Sequence, residues 1–509
     1  MTKEISNNKR IAKNTLMLYV RQMVVIAVGL YTVRIVLEVL GVEDYGVYNV
    51  VGGVVAMLSF LSGTMASATQ RFFSFYLGRG DTEKLKQVFS VNIMIYLILI
   101  GIVFILFETV GLWFVNSQLE IPDGREAAVR FIFQFSILAF VANMLSSPFI
   151  AAINAHEDMQ LFAYVSIVDA TLKLGVVFVL QYFDYDKLEL YSVLLFIAAV
   201  ISKIIYVSIC LIKYEECQFR RIYWSKDVFK EVMSFSSWTL FGSIAFTMRI
   251  QGVTILINQF FTPITVASRA IATQVTSQLH TFTNNFNASL YPPIIKSYSN
   301  GNLEEMYQLI FRGTKIAFFL VWLFALPLCL YMEEILTLWL KTVPSRAVLF
   351  TRFALIEIIL HAISHSIMTA ARATGKMKVY ELTFGIINTL LAFFVWLAFF
   401  FGAPDYAAYV IIITINILMF SVRLLFVRNL TGLSLRQYVN KVVLRMAGVV
   451  LITVIATIPL YISFSSAFTS VLFVGTFSLI ISCVAMYYIG LEKVERNAAT
   501  KMILNKIKR

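Results

Sequence analysis

Charge is what this chain has least of. Of its 509 residues only 14% are charged, 42 Lys and Arg against 29 Asp and Glu. A soluble domain uses roughly a quarter of its residues for that purpose, so a water-facing surface over the whole molecule is excluded and most of the exterior must meet lipid. Cysteine is equally scarce. Cys210, Cys217, Cys329 and Cys483 show no metal-ligand spacing and no disulfide framework, so they read as reduced packing residues, with no metal site and no cofactor expected. Long polar stretches between apolar runs are lacking too, which leaves no room for an appended catalytic or binding domain. The polar, basic start of the chain runs into an apolar stretch without a small-residue cleavage site, and is expected to be a retained first span.

What is present is apolar: 59% hydrophobic residues and a mean hydropathy of +0.80. Taking about 20 residues per helical crossing, the chain holds about fourteen spans. They fall near 16–39, 45–70, 88–112, 132–152, 160–183, 189–212, 232–258, 264–291, 316–332, 353–371, 379–401, 405–422, 446–463 and 467–489. The net charge of +13 is then a question of where the cations lie, not a sign of nucleic acid. Lys9, Arg10 and Lys13; Arg79, Lys84 and Lys86; Arg220, Arg221, Lys226 and Lys230; and the tail Lys501, Lys506, Lys508 and Arg509 alternate with acidic loops at Glu43 and Asp44, Glu120 and Asp123, Asp184 and Asp186, and Glu333 and Glu334. By the positive-inside rule the basic loops and both termini are cytoplasmic.

The layout echoes itself. At a constant offset of 221 residues, 40–90 lie over 261–311, pairing Gly80 with Gly301, Glu83 with Glu304 and Gln87 with Gln308. Internal repeats of this kind build many secondary transporters, with the site at the repeat interface. The expected architecture is an all-α integral membrane protein with two pseudo-symmetric six-helix lobes around a central cavity. The N-lobe is 1–213, a cytoplasmic connector 214–229, the C-lobe 230–430, an extra helix pair 441–490, and a basic cytoplasmic tail 491–509.

Charge at membrane depth costs roughly 2.5–3.5 kcal/mol per group. Arg21 and Arg34 in span one, Lys173 in span five, Lys203 in span six, Arg249 in span seven and Arg269 in span eight lie at such depth, so they must face protein or water. Arg34 with Glu38 and Asp169 with Lys173 are four apart and can cancel on one helix face. Arg21, Lys203, Arg249 and Arg269 have no acidic partner within a turn. For the last two, lining an anion-binding cavity and interhelical pairing remain equally open.

Span eight is the most polar segment. Arg269, Thr273, Thr276, His280, Thr283 and Asn287 recur at helical spacing, widened by Thr265, Gln274, Gln278 and Asn284; a helix so marked is expected to line water. In span ten Glu357, His361 and His365 share a face, as a hydrogen-bonded cluster, a proton-coupling relay or, with too few ligands, a metal site.

The segments GVEDYGVYNV at 41–50, ASATQRFFSF at 66–75 and the GRGD turn at 78–81 resemble the bacterial polysaccharide and O-antigen flippases, of the multidrug/oligosaccharidyl-lipid/polysaccharide (MOP) exporter superfamily. That resemblance implies movement of undecaprenyl-diphosphate-linked oligosaccharide between leaflets of the bacterial inner membrane by alternating access. It also implies a cationic cavity, filled here by Arg21 or Arg34, Arg249 and Arg269, and an extra helix pair that can hold the lipid tail. Membrane lipids, a coupling proton or sodium ion and glycan polymerase machinery are the implied partners. Two alternatives stand beside it. A cation-coupled multidrug exporter would favour deep carboxylates over the deep cations seen here. A membrane-bound glycan-modifying enzyme has as its only candidate His156 with Glu157 and Asp158.

Overall fold

The computed structural model describes all residues except 1, 57, 119–123, 184, 220, 341–342, 464–467, 494, 498–499 and 501–509. Glu120, Asp123, Asp184, Arg220 and the basic tail from Lys501 lie outside the described residues. Every regular element among those described is a helix. In chain order they are α1 (Thr2–Ala56), α2 (Ser59–Arg79), α3 (Thr82–Leu106), α4 (Leu112–Gln118), α5 (Glu126–Ala155), α6 (Met159–Leu180), α7 (Lys187–Lys213), α8 (Lys226–Phe260), α9 (Pro263–Ser299), α10 (Leu303–Leu330), α11 (Met332–Trp339), α12 (Ala347–Thr374), α13 (Met377–Phe400), α14 (Ala407–Thr431), α15 (Leu435–Tyr438), α16 (Leu444–Ser463) and α17 (Phe468–Ala485). Wide π-turns join α3 to α4 and α15 to α16.

Twelve of the described helical segments are long and apolar enough to cross a membrane. The long helices missing from those twelve are α2 and α9, the polar-seamed pair expected as spans two and eight. Their threonines, serines and amides depress the hydropathy without preventing a helix, because their neighbours in the lobe, not lipid, cover much of them. Gly41 (φ 79°, ψ 169°) bends α1 between the first two expected spans, a backbone state open to glycine because it has no Cβ.

The chain divides into two compact units, Lys13–Leu240 and Phe241–Arg509 with Met1–Ala12, and the division falls within α8. Inside each, the same arrangement recurs. Gly80 and Gly301 both adopt positive φ, 67° and 72°, and the next residues, Asp81 and Asn302, cap α3 and α10 by accepting the backbone N–H three positions on. Arg125 and Arg346 stand immediately before α5 and α12. Each bonds an aspartate just before another helix of its own unit: Arg125 to Asp186 at 2.5 Å, ahead of α7, and Arg346 to Asp405 at 2.8 Å, ahead of α14. Arg125 also holds Asp44 at 2.6 Å. The offset between these arginines is the 221 residues found in the sequence, and it now carries an ion pair and a cap as well as hydropathy.

The last helices pack within the second unit. Trp322 of α10 donates to Thr453 of α16 at 3.1 Å. Lys315 of α10, only 1% exposed, pairs with Glu495 at 2.6 Å, and Arg312 reaches the same carboxylate at 3.5 Å.

Candidate functional site

In the Lys13–Leu240 unit a cavity of about 450 Å³ opens between α1, α5, α6 and α7. Arg21, Lys173 and Lys203 line it against a single acidic residue, Asp169. Lys173 is spoken for: its ammonium lies 2.8 Å from Asp169, four residues back on α6, as the spacing suggested. Arg21 and Lys203 are then the cations in excess. Arg21 lies over the Phe162 ring (5.0 Å) and donates to Gln22 at 3.0 Å, while Lys203 lies 5.9 Å from the Tyr206 ring. Thr32, Ser166 and the Tyr206 edge supply hydroxyls, and Val25, Val28 and Ile150 make the rest apolar. The arrangement is a largely apolar pocket with two surplus positive charges, chemistry that suits a compact oxyanion.

Arg34 lies elsewhere. It is exposed on α1 and outside the cavity lining, and no ion pair with Glu38 is found among the described residues. Arg71, in the second half of α2, is 2% exposed, sits among the Phe72, Phe75 and Phe235 rings and reaches Glu231 at 3.8 Å.

The Phe241–Arg509 unit holds a second polar centre. Arg249 of α8, 6% exposed, donates to Glu357 of α12 at 2.8 Å, to Asn416 of α14 at 3.1 Å and to Asn388 of α13 at 3.4 Å. Of the two readings open for this arginine, the structure shows the interhelical pair. Arg269 of α9 donates to Thr254 at 3.1 Å and lies over the Tyr409 ring. His280 and His361 meet edge-on, 4.6 Å between centroids. His365 is one turn along α12, near the charges of Arg372 and Arg423. No group of three or more His, Cys, Asp or Glu able to hold a metal is found among the described residues.

The polar seam of α9 is rotated from the expected one. Thr276, Thr283 and Asn287 are 8%, 2% and 3% exposed, whereas Thr273, Gln274, Gln278 and Asn284 are exposed and His280 is half-buried. The Thr273, Thr276 and Thr283 hydroxyls all bond carbonyls one turn back, so helix-local bonding satisfies a threonine on either face. Of the amides, Gln274, Gln278 and Asn284 are exposed while Asn285 and Asn287 are buried, so packing against the neighbouring helices sets the seam. Sequence reasoning also missed Asn388, Asn416 and Tyr409. Single amides in otherwise apolar spans were the available signal.

The His156–Glu157–Asp158 group, between α5 and α6, is held by packing and hydrogen bonds. The His156 ring stacks on Tyr214 at 4.1 Å and bonds Glu216 at 2.6 Å. Glu157 takes φ 64° and its carbonyl accepts from Asn14 at 3.0 Å. Asp158 accepts from Lys213 at 2.8 Å and from the Tyr214 hydroxyl. Burial raises the Asp158 carboxyl, but these two bonds and the nearby cation outweigh it and hold it below its usual value. The Tyr214 hydroxyl is pushed up by burial and by the same carboxylate.

The fold is that of MOP-superfamily transporters. A multidrug resistance MATE family transporter in its outward-facing conformation aligns over 83% of this chain and 95% of its own, with a TM-score of 0.73 at 12% identity. A MATE protein in the bent conformation covers 85% and 99%, TM-score 0.71, 12% identity. A MOP-superfamily transporter from Pyrococcus furiosus, described as having a binding pocket of reverse polarity that suggests a different function, covers 83% and 95%, TM-score 0.69, 12% identity. In sequence, the uncharacterized membrane protein EpsK of Bacillus subtilis is 21% identical over 364 residues, 70% of this chain and 71% of that protein. No family model matches the chain.

Proposed function

We propose that this protein is a flippase that carries a polyprenyl-diphosphate-linked oligosaccharide, an O-antigen or capsule or exopolysaccharide repeat unit, across the bacterial cytoplasmic membrane by alternating access, with both termini in the cytoplasm. The observation that carries the reading is the cavity of Arg21, Lys173 and Lys203 against Asp169 alone. A diphosphate diester carries two negative charges, which match the two cations that Asp169 leaves unbalanced. Arginine binds phosphate oxygens in a bidentate fork, whereas lysine offers a mobile point charge. The exposed amides and hydroxyls of α9, Thr273, Gln274, Gln278 and Asn284, suit sugar hydroxyls and are too polar to face lipid. Arg269 and His280 extend that surface, and the polyprenyl tail stays in the bilayer while the head crosses.

The Pyrococcus furiosus relative lends support, since a reversed pocket polarity already occurs on this fold. A cationic drug as substrate is disfavoured by the same charge count, because two surplus positive groups would repel it. Replacing Arg21 and Lys203 together by Gln is expected to remove surface glycan and to pile up lipid-linked oligosaccharide on the inner leaflet, with the protein still folded and inserted. Normal surface glycan in that double variant at ordinary expression would sink the assignment.

A further inference from the structure

The charged side chains of the cavity between α1, α5, α6 and α7 are not equally occupied. Asp169 and Lys173 close a pair at 2.8 Å, with 48% of the Lys173 side chain and 21% of the Asp169 side chain accessible. Lys203 of α7 acts on the same carboxylate through charge alone. Arg21 of α1 donates through Nη2 to Gln22, and its buried Nε has no hydrogen-bond partner among the described residues. A buried guanidinium donor left open at a cavity wall is costly until an acceptor enters. Space for one is present: Gly29, on the α1 wall, has no heavy atom within 4 Å of where a Cβ would stand.

In a bilayer such a cavity meets phospholipid headgroups far more often than any carrier lipid, and a phosphodiester headgroup carries one negative charge where a diphosphate diester carries two. The preference for the dianion is the cavity's potential acting on the one extra charge, so it grows with the surplus of cations. At about 6 Å and an effective dielectric of about 40, each unit of surplus is worth about tenfold in that preference. Arg21, Lys173 and Lys203 against Asp169 leave a surplus of two. Without Asp169 it would be three, and a dianion held that tightly would leave slowly, whereas transport needs release as well as entry. Without Lys173 it would be one, and the bulk headgroups would compete.

We propose that the Asp169–Lys173 pair sets the charge count of this cavity and so makes it select a diphosphate diester over the monoanionic phosphodiester of a phospholipid. This rests on the reading of the substrate as a polyprenyl diphosphate, and it names the residues that tell that substrate from the surrounding lipid.

The test uses the full chain in nanodiscs of zwitterionic phosphatidylcholine. The probes are P,P′-dimethyl diphosphate as the dianion and dimethyl phosphate as the monoanion, both anions of strong acids with fixed charge at neutral pH. Calorimetric titration reads the dianion, and its displacement reads the monoanion. Asp169→Asn should raise the dianion-over-monoanion preference about tenfold, and Lys173→Met should lower it about tenfold. Asp169→Asn with Lys173→Met restores a surplus of two and should return the preference to within about threefold of the parent. Structural damage does not shift a preference in opposite directions in the two single variants and then restore it in the double. Gly29→Leu keeps every charge, fills the cavity and should remove binding of both probes. The proposal is overturned by no binding of the dianion to the parent, by single-variant preferences within about twofold of the parent or shifted in the same direction, or by binding that survives Gly29→Leu. Failure of the flippase reading shows separately, as normal surface glycan in the Arg21→Gln, Lys203→Gln variant, and leaves the calorimetric cycle untouched.

Discussion

Glu495 should behave as the keystone of the last helix pair. Its carboxylate is 11% exposed, lies 2.6 Å from the ammonium of Lys315, itself 1% exposed, and 3.5 Å from Arg312. In Glu495→Gln the Lys315 charge stays buried without its counter-ion. Breaking a buried pair in this way costs roughly 3–5 kcal/mol, and the partial wetting of Glu495 puts this case near the lower figure, about 3 kcal/mol. Replacing both ends is a different perturbation. In Glu495→Gln with Lys315→Met the buried ammonium disappears along with its partner, leaving only the more exposed Arg312 (17%) without that carboxylate, and stability should return to within about 1 kcal/mol of the parent. Denaturant titration of the three proteins in micelles, followed by tryptophan fluorescence, reads the difference, Trp322 being bonded to Thr453 of the helix pair. A loss below about 0.5 kcal/mol in Glu495→Gln, the size of a surface ion pair, would refute the reasoning. So would a double variant no better than the single one.

Single cysteines in a cysteine-free background test the topology: Tyr185→Cys and Phe401→Cys should be labelled by an impermeant reagent from outside, and Thr82→Cys and Ile222→Cys only after permeabilisation; the reverse pattern would break the proposed orientation. On α9, cysteines replacing Gln274, Gln278 and Asn284 should react with small aqueous reagents and those replacing Thr283 and Asn287 should not; uniform reactivity would contradict the rotated seam. Asp158 has its carboxyl held below the usual range by Lys213 and Tyr214 against the opposing effect of burial. Its contribution to stability is therefore full above the unfolded value of about 3.9 and is lost as pH falls through the lower folded value. An Asp158→Asn protein should be less stable than the parent at neutral pH, with the gap narrowing in acid; a gap that widens on acidification would reverse the sign of the coupling.

Some of this was legible in the residues because it depends on local chemistry. Lys173 finds Asp169 at 2.8 Å because four residues is one helical turn. The Gly80 and Gly301 turns and their Asp81 and Asn302 caps are chain-local events that the offset of 221 residues exposes. Others were not legible for an equally physical reason. Thr276 and Asn284 both look polar in a list of letters. Whether such a residue faces outward is set by which neighbouring helices pack on it: Thr273 and Thr276 both bond a carbonyl one turn back at 3.0 Å, yet Thr273 is exposed and Thr276 buried.

The sequence by itself determined that the chain is helical, apolar and built on an internal repeat, since span length, hydropathy and periodicity need only neighbours along the chain. It also determined that Arg21, Lys203, Arg249 and Arg269 required something other than lipid. Which of them share a site was decided by tertiary structure alone. Arg21 and Lys203 come together from α1 and α7 in one cavity, while Arg249 meets Glu357, 108 residues away. A charge fixes how much it costs to bury through its own chemistry. Its partner is fixed by helix packing, which brings distant residues within hydrogen-bond reach and leaves no local trace in the sequence.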